Sequence, residues 1–126
     1  MSVFSTAELG YLRNVRQLGH LATVDPTGQP RVVPLGWRYN EELDTIDLTG
    51  RDPAEFVASR KFRDVQASGR VAFVVDDVLP PWRPRSLIIH GLAEAIDAPA
   101  MIRITPTRVI SWGLDQADAD DAPARS

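Results

Sequence analysis

The chain of 126 residues contains no cysteine, which removes disulfide frameworks, thiolate zinc sites, iron–sulfur clusters and cysteine nucleophiles together. Stability has to come from packing. No run of 18 apolar residues occurs, and the opening MSVFSTAELGYLRNVRQ has no basic segment followed by an apolar stretch, so neither a membrane helix nor a signal peptide is expected. A cytoplasmic protein without membrane contact is the expectation. Lysine is almost missing too: Lys61 stands alone against thirteen arginines, a bias typical of high-GC genomes that implies no chemistry. The two histidines, His20 and His90, fall in no motif with a nucleophile or metal-ligand spacing. Hydrolase and metalloenzyme functions therefore lack their residues, and no metal is expected. Asp76-Asp77 is a weak carboxylate pair, because neighbours on a strand end point to opposite sides.

What remains is an ordinary globular composition, 44% apolar and 25% charged, with a net charge of −3. That balance gives no general attraction for nucleic acid. The length fits one domain, placed at residues 1–115. Residues 116–126, QADADDAPARS, hold no large apolar side chain and are expected to form a flexible acidic tail.

Ser5-Thr6 before Ala-Glu-Leu reads as the cap of a short helix. Two strands, 20–24 and 31–35, flank the turn residues Asp25-Pro26-Thr27-Gly28-Gln29-Pro30 and predict a hairpin. A third strand, 45–49, alternates. Asp52-Pro53 then opens a predicted helix over 53–67, and the nearly unbroken apolar run of 70–77 reads as a central strand buried on both faces. An irregular loop is expected at 80–84, followed by a long strand over 85–96, bulged at Gly91. The last strand, 101–112, is expected to break at Thr105-Pro106-Thr107. Six strands, two helices and mostly hairpin links predict a mainly β protein built as a small antiparallel barrel.

The chemistry-bearing pattern is Thr49-Gly50 at a strand end followed by Ser59-Arg60-Lys61 in the next helix. A hydroxyl, a glycine amide, a guanidinium and an ammonium are the donors a phosphate needs. The same residues also describe an ordinary solvated helix face.

The order of these elements resembles the pyridoxamine 5′-phosphate oxidase-like superfamily of flavin and deazaflavin proteins. The matching motifs are Arg31-Val32-Val33-Pro34-Leu35, Thr49-Gly50, Ser59-Arg60-Lys61, Arg85-Ser86-Leu87 ahead of Gly91-Leu92-Ala93-Glu94, and Arg103 to Trp112. They run in the family's order across residues 18 to 114. The resemblance implies a six-stranded split β-barrel in which Arg60 and Lys61 hold a cofactor phosphate beside Thr49 and Gly50. It implies that Arg31, Val32, Val33, Pro34, Leu35 and Gly36 line the cofactor ring through their backbone. Ser86 stands where relatives often carry a ring-contacting glutamine, and Trp112 would reach the ring from a partner subunit.

Two departures choose within the superfamily. The Arg-x-His-x-Arg substrate motif of true pyridoxamine phosphate oxidases is absent, and the ending Ser111-Trp112-Gly113-Leu114-Asp115 looks more like the group using coenzyme F420. For that coenzyme's glutamyl tail, Arg51, Arg60, Lys61 and Arg63 would offer a landing surface. The implied function is hydride transfer between F420 and a small organic substrate by a homodimer, with no catalytic side chain identified. The alternatives are an FMN-binding oxidoreductase on the same site, or a non-enzymatic flavin, F420 or haem carrier.

Overall fold

The computed structural model describes residues 1–114; the expected acidic tail and the domain boundary at 115 lie outside them. Helix α1, Thr6–Asn14, begins where the sequence asks it to. Ser5 Oγ accepts from the Glu8 amide at 3.1 Å and Glu8 Oε1 accepts from the Ser5 amide at 2.8 Å, a reciprocal cap worth about 1 kcal/mol. Strands β1, Gly19–Val24, and β2, Pro30–Leu35, form the predicted hairpin. The Asp25 carboxylate closes its turn by accepting the Thr27 and Gln29 amides, both at 2.9 Å, and Gly28 supplies the left-handed φ of 93°.

A short strand β3, Arg38–Asn40, was not expected, and it raises the count from six to seven. Three residues around a polar turn carry too little alternation to be recognised. Strand β4, Thr45–Leu48, follows. The predicted helix over 53–67 is two helices, α2 Pro53–Ala58 and α3 Arg60–Ser68. Ser59 divides them: its backbone is extended, its amide bonds to the Phe56 carbonyl that closes α2, and its hydroxyl accepts from the Phe62 amide in α3. A serine whose side chain caps the next turn competes with helix continuation.

Strands β5, Arg70–Leu79, β6, Arg83–Ile96, and β7, Met101–Trp112, complete the fold. The loop expected at 80–84 is only a tight hairpin turn, since Val78 and Leu79 pair with Pro84 and Arg83. Strand β7 does not break at 105–107 either. The register steps from His90↔Arg108 to Gly91↔Pro106, so one residue bulges out and the ladder resumes. Gly91 permits this, because a Cβ there would lie 2.7 Å from the Thr105 carbonyl oxygen.

The sheet order is β2-β1-β5-β6-β7-β4-β3, with every pair antiparallel. Its two edge strands are consecutive in the chain. Flat, they would stand about 29 Å apart at about 4.8 Å per strand, yet the three Cα steps from Leu35 to Arg38 reach only about 11 Å. The sheet must curl until its edges meet, which makes a barrel split between β2 and β3. Inside lie Leu21, Ile46, Leu48, Phe62, Phe73, Val75, Leu87, Ile89, Ile102 and Ile104, all fully buried.

Strand β5 corrects one expectation. Val71, Phe73 and Val75 are buried, but Ala72 and Val74 on its other face are only half-buried. The strand is apolar on both faces while a single chain covers one.

Candidate cofactor site

The split in the barrel opens a cavity of about 510 Å³ where the end of β2, the end of β4 and the start of α3 converge. Leu18, Leu35, Gly36, Thr49, Gly50, Arg51, Phe56 and Lys61 line it. Gly50 is there for space: a Cβ would lie 2.8 Å from Phe56 Cδ1. Lys61 Nζ stands over the Phe56 ring, 5.0 Å from its centroid, a cation–π contact that steers the ammonium. The Ser59 cap makes Lys61 the second residue of α3, so its charge adds to the positive end of the helix.

Lys61 pairs with no carboxylate among the described residues. Elsewhere in the fold, Arg13, Arg31, Arg85 and Arg103 each lie against an acid. A half-buried cation left without an anion in a cavity wall is poised for an external one.

The structure therefore brings together six of the residues singled out from the sequence: Leu35, Gly36, Thr49, Gly50, Arg51 and Lys61. The others fall elsewhere. Arg31 Nε lies 3.2 Å from Asp64 Oδ2, and its Nη2 lies 3.3 Å from Asp25 Oδ2. Asp64 is itself buried and accepts from Thr23 Oγ1 at 2.7 Å. This guanidinium ties the β1–β2 hairpin to α3. Val33 packs on the core, whereas Val32 and Pro34 face outward and are exposed. Arg60 is exposed and does not line the cavity. Of the suggested tail residues, Arg51 lines it, while Arg63 is exposed and donates to the Ala58 carbonyl at 2.9 Å.

Ser86 is buried on β6 directly opposite Trp112 of β7, whose ring is half-exposed. Neither lines the cavity in the single chain. Two lining residues were missed. Leu18 precedes a strand with no pattern of its own, and Phe56 stands at helical spacing that carries no sign of a binding role.

The remaining buried charges are internally satisfied. Asp47, on β4, takes a two-pronged contact from Arg103 at 3.0 and 3.1 Å and bonds from Asn40 and Thr45, both at 2.9 Å. Burial raises its pKa, and these donors together outweigh burial and hold it below the ordinary carboxylate value. Asp77 accepts from Arg85 at 2.8 and 2.7 Å and from the Tyr11 hydroxyl at 3.0 Å. The Arg85 bonds lower its pKa, while burial and the Asp77 bond raise that of Tyr11.

No family model matches the chain. It is 43% identical over 124 residues to the 5a,11a-dehydrotetracycline/5a,11a-dehydrooxytetracycline reductase of Streptomyces rimosus, covering 89% of this chain and 84% of that one. Among solved structures it is similar to a conserved hypothetical protein of Mycobacterium tuberculosis, with TM-score 0.71, 22% identity, and 88% and 86% of the two chains covered. It also superposes on an FAD-binding protein of Mesorhizobium loti with TM-score 0.65 and 21% identity, covering 86% and 91%. An F420 reductase gives TM-score 0.57 and 22% identity, covering 75% and 89%. These superpositions carry the split-barrel fold, and the Streptomyces protein is a reductase. The chain belongs to the pyridoxamine 5′-phosphate oxidase-like split-barrel superfamily, in the branch that includes this reductase.

Proposed function

We propose that the protein is an F420-dependent reductase of a conjugated organic substrate, working as a homodimer with a cofactor site in each half. The observation that carries this is the unpaired Lys61 ammonium in the wall of a cavity built from Leu35, Gly36, Thr49 and Gly50. Its donors and its shape suit a phosphorylated flavin or deazaflavin. Lys61, the Thr49 hydroxyl and the first turn of α3 would hold the phosphate. Leu18 and Leu35 offer apolar wall to a ring, and the Gly36 backbone lets it approach closely. When bound, F420 supplies hydride chemistry; the chain's part is to orient the ring and exclude water. The Streptomyces reductase is the basis for a conjugated substrate. FMN is the second reading, because the same phosphate donors serve it.

The dimer rests on the uncovered sheet face. Across the strands, Pro34, His20, Val74, Ile88 and Ile110 lie in one row, and Val32, Ala22 and Ala72 stand in the next. Apart from His20 this patch is apolar, ending at His90 and Arg108 beyond Ala72, and such a surface marks an interface. A second copy is the occupant favoured here, since a two-fold axis buries the same face twice and sets Trp112 of each chain against its partner. Two measurements on one sample test the reading. Titration with F420 and FMN, followed by fluorescence, should show F420 binding more tightly, and light scattering should give twice the chain mass. Binding of neither cofactor, or a monomer binding at full affinity, would overturn it.

A further inference from the structure

A second cavity, of about 560 Å³, meets the first at Gly36. It lies between the C-terminal end of α1 and the β2–β3 link, with Arg13, Arg16, Trp37, Arg38 and Glu41 among its walls. The first cavity is cationic around Lys61 and Arg51, residues it shares with a third hollow that extends from it. Gly36 belongs to neither that hollow nor the phosphate donors. The second cavity therefore opens from the ring end of the site.

Its charge runs against that of the chain. The protein carries −3 overall, yet this groove holds three guanidiniums against one carboxylate. Glu41 is already taken by Arg13 at 2.8 Å. Among the described residues, Arg16 makes only two long contacts, 3.4 Å each, to the Arg13 and Val15 carbonyls. Arg38 is largely exposed and lies 3.6 Å from Asp47, whose oxygens are already bonded by Arg103, Asn40 and Thr45. Two guanidiniums are thus left under-used on one rim. Beside them the Trp37 ring is fixed, its Nε1 donating to the Gln17 carbonyl at 2.9 Å and its face set edge-on to Phe73 at 6.0 Å. A rigid aromatic wall next to planar, bidentate donors selects a flat, delocalised anion.

We propose that this groove is the substrate site and that the substrate is a planar oxyanion, an enolate or an arene carboxylate, gripped by Arg16 and Arg38. The assignment as a substrate site rests on reading the neighbouring cavity as the cofactor site. The grip would also serve reduction: hydride from the bound cofactor would form a C–H bond at the far carbon of a conjugated C=C–C=O group, the π electrons would pass to the oxygen as an enolate balanced by a guanidinium, and a solvent proton would complete the reduction.

The test uses anthracene-2-carboxylate as a planar anion and anthracene-2-carboxamide as its neutral isostere, titrated by fluorescence into the full chain. The carboxylate should bind at least about tenfold more tightly than the amide. Arg16→Gln and Arg38→Gln should each abolish most of that preference, while amide binding stays the same and Lys61→Ala leaves the preference intact. Equal affinity for the two probes would overturn the proposal. So would a preference removed by Lys61→Ala rather than by the two arginine variants, since the anion would then sit in the phosphate site. The titration needs no cofactor, so its failure is separate from a failure of F420 and FMN to bind.

Discussion

Asp47 and Lys61 are charged residues of one barrel, and they have opposite surroundings. Asp47 sits 1% exposed with donors on both oxygens. Among the described residues, the cavity that Lys61 faces holds an aromatic ring and no carboxylate, while Asp52 and Glu55 line the adjoining hollow. A buried charge with its partners in place holds the fold together; a half-exposed one without them contributes little to stability. The contrast is between a charge the fold already uses and one it leaves open.

The largest expected effect comes from breaking the satisfied side. Asp47→Ala leaves Arg103 and the polar groups around it without their acceptor and should cost about 3 kcal/mol in urea unfolding. Cofactor affinity per folded molecule should hardly change. Because the folded pKa of Asp47 is lowered, its contribution is present above the ordinary carboxylate value, about 3.9. It is lost as pH falls through the depressed one. Asp47→Asn should therefore flatten the fall of stability on the acid side, and an unchanged acid profile would count against the account of this cluster.

Lys61→Ala tests the other side. One charge-assisted contact to a phosphate is worth about 1.5–3 kcal/mol, so affinity for F420 or FMN should fall about 10- to 100-fold. Stability should stay within about 0.5 kcal/mol. A phosphate-free analogue should be insensitive to the substitution. Loss of stability with unchanged affinity would exchange the roles of the two residues.

The smallest effect sharpens the choice of cofactor. If Arg51 and the basic residues near Lys61 meet a glutamyl tail, added salt should weaken F420 more than FMN, as exposed pairs are screened over about 8–10 Å. Equal salt slopes would favour FMN. The acidic Asp52 and Glu55 of the adjoining hollow set a limit on how large the difference can be.

Much of this was legible along the chain, because local chemistry writes itself locally. The Ser5–Glu8 cap, the Asp25–Gly28 turn, the β1–β2 hairpin and the Thr49-Gly50 and Ser59-Arg60-Lys61 motifs all lie within a few residues of their partners. The alternation of β4 and the apolar run of β5 likewise announced strands. The order of the motifs was enough for the superfamily. What sequence could not decide was which guanidiniums are spent. Arg31 and Arg60 look equally available in a line of letters. Only the fold sets Arg31 against Asp64, thirty-three residues away, and leaves Lys61 without a carboxylate among the described residues. The same holds for the split itself. It exists because consecutive strands occupy opposite edges of a seven-stranded sheet, so the short link through Gly36 must close the barrel and place two cavities on either side of one glycine. Composition determined that the protein would fold without disulfides or metal thiolates, and tertiary structure decided which charges would be left free, because pairing depends on distance in space rather than in sequence.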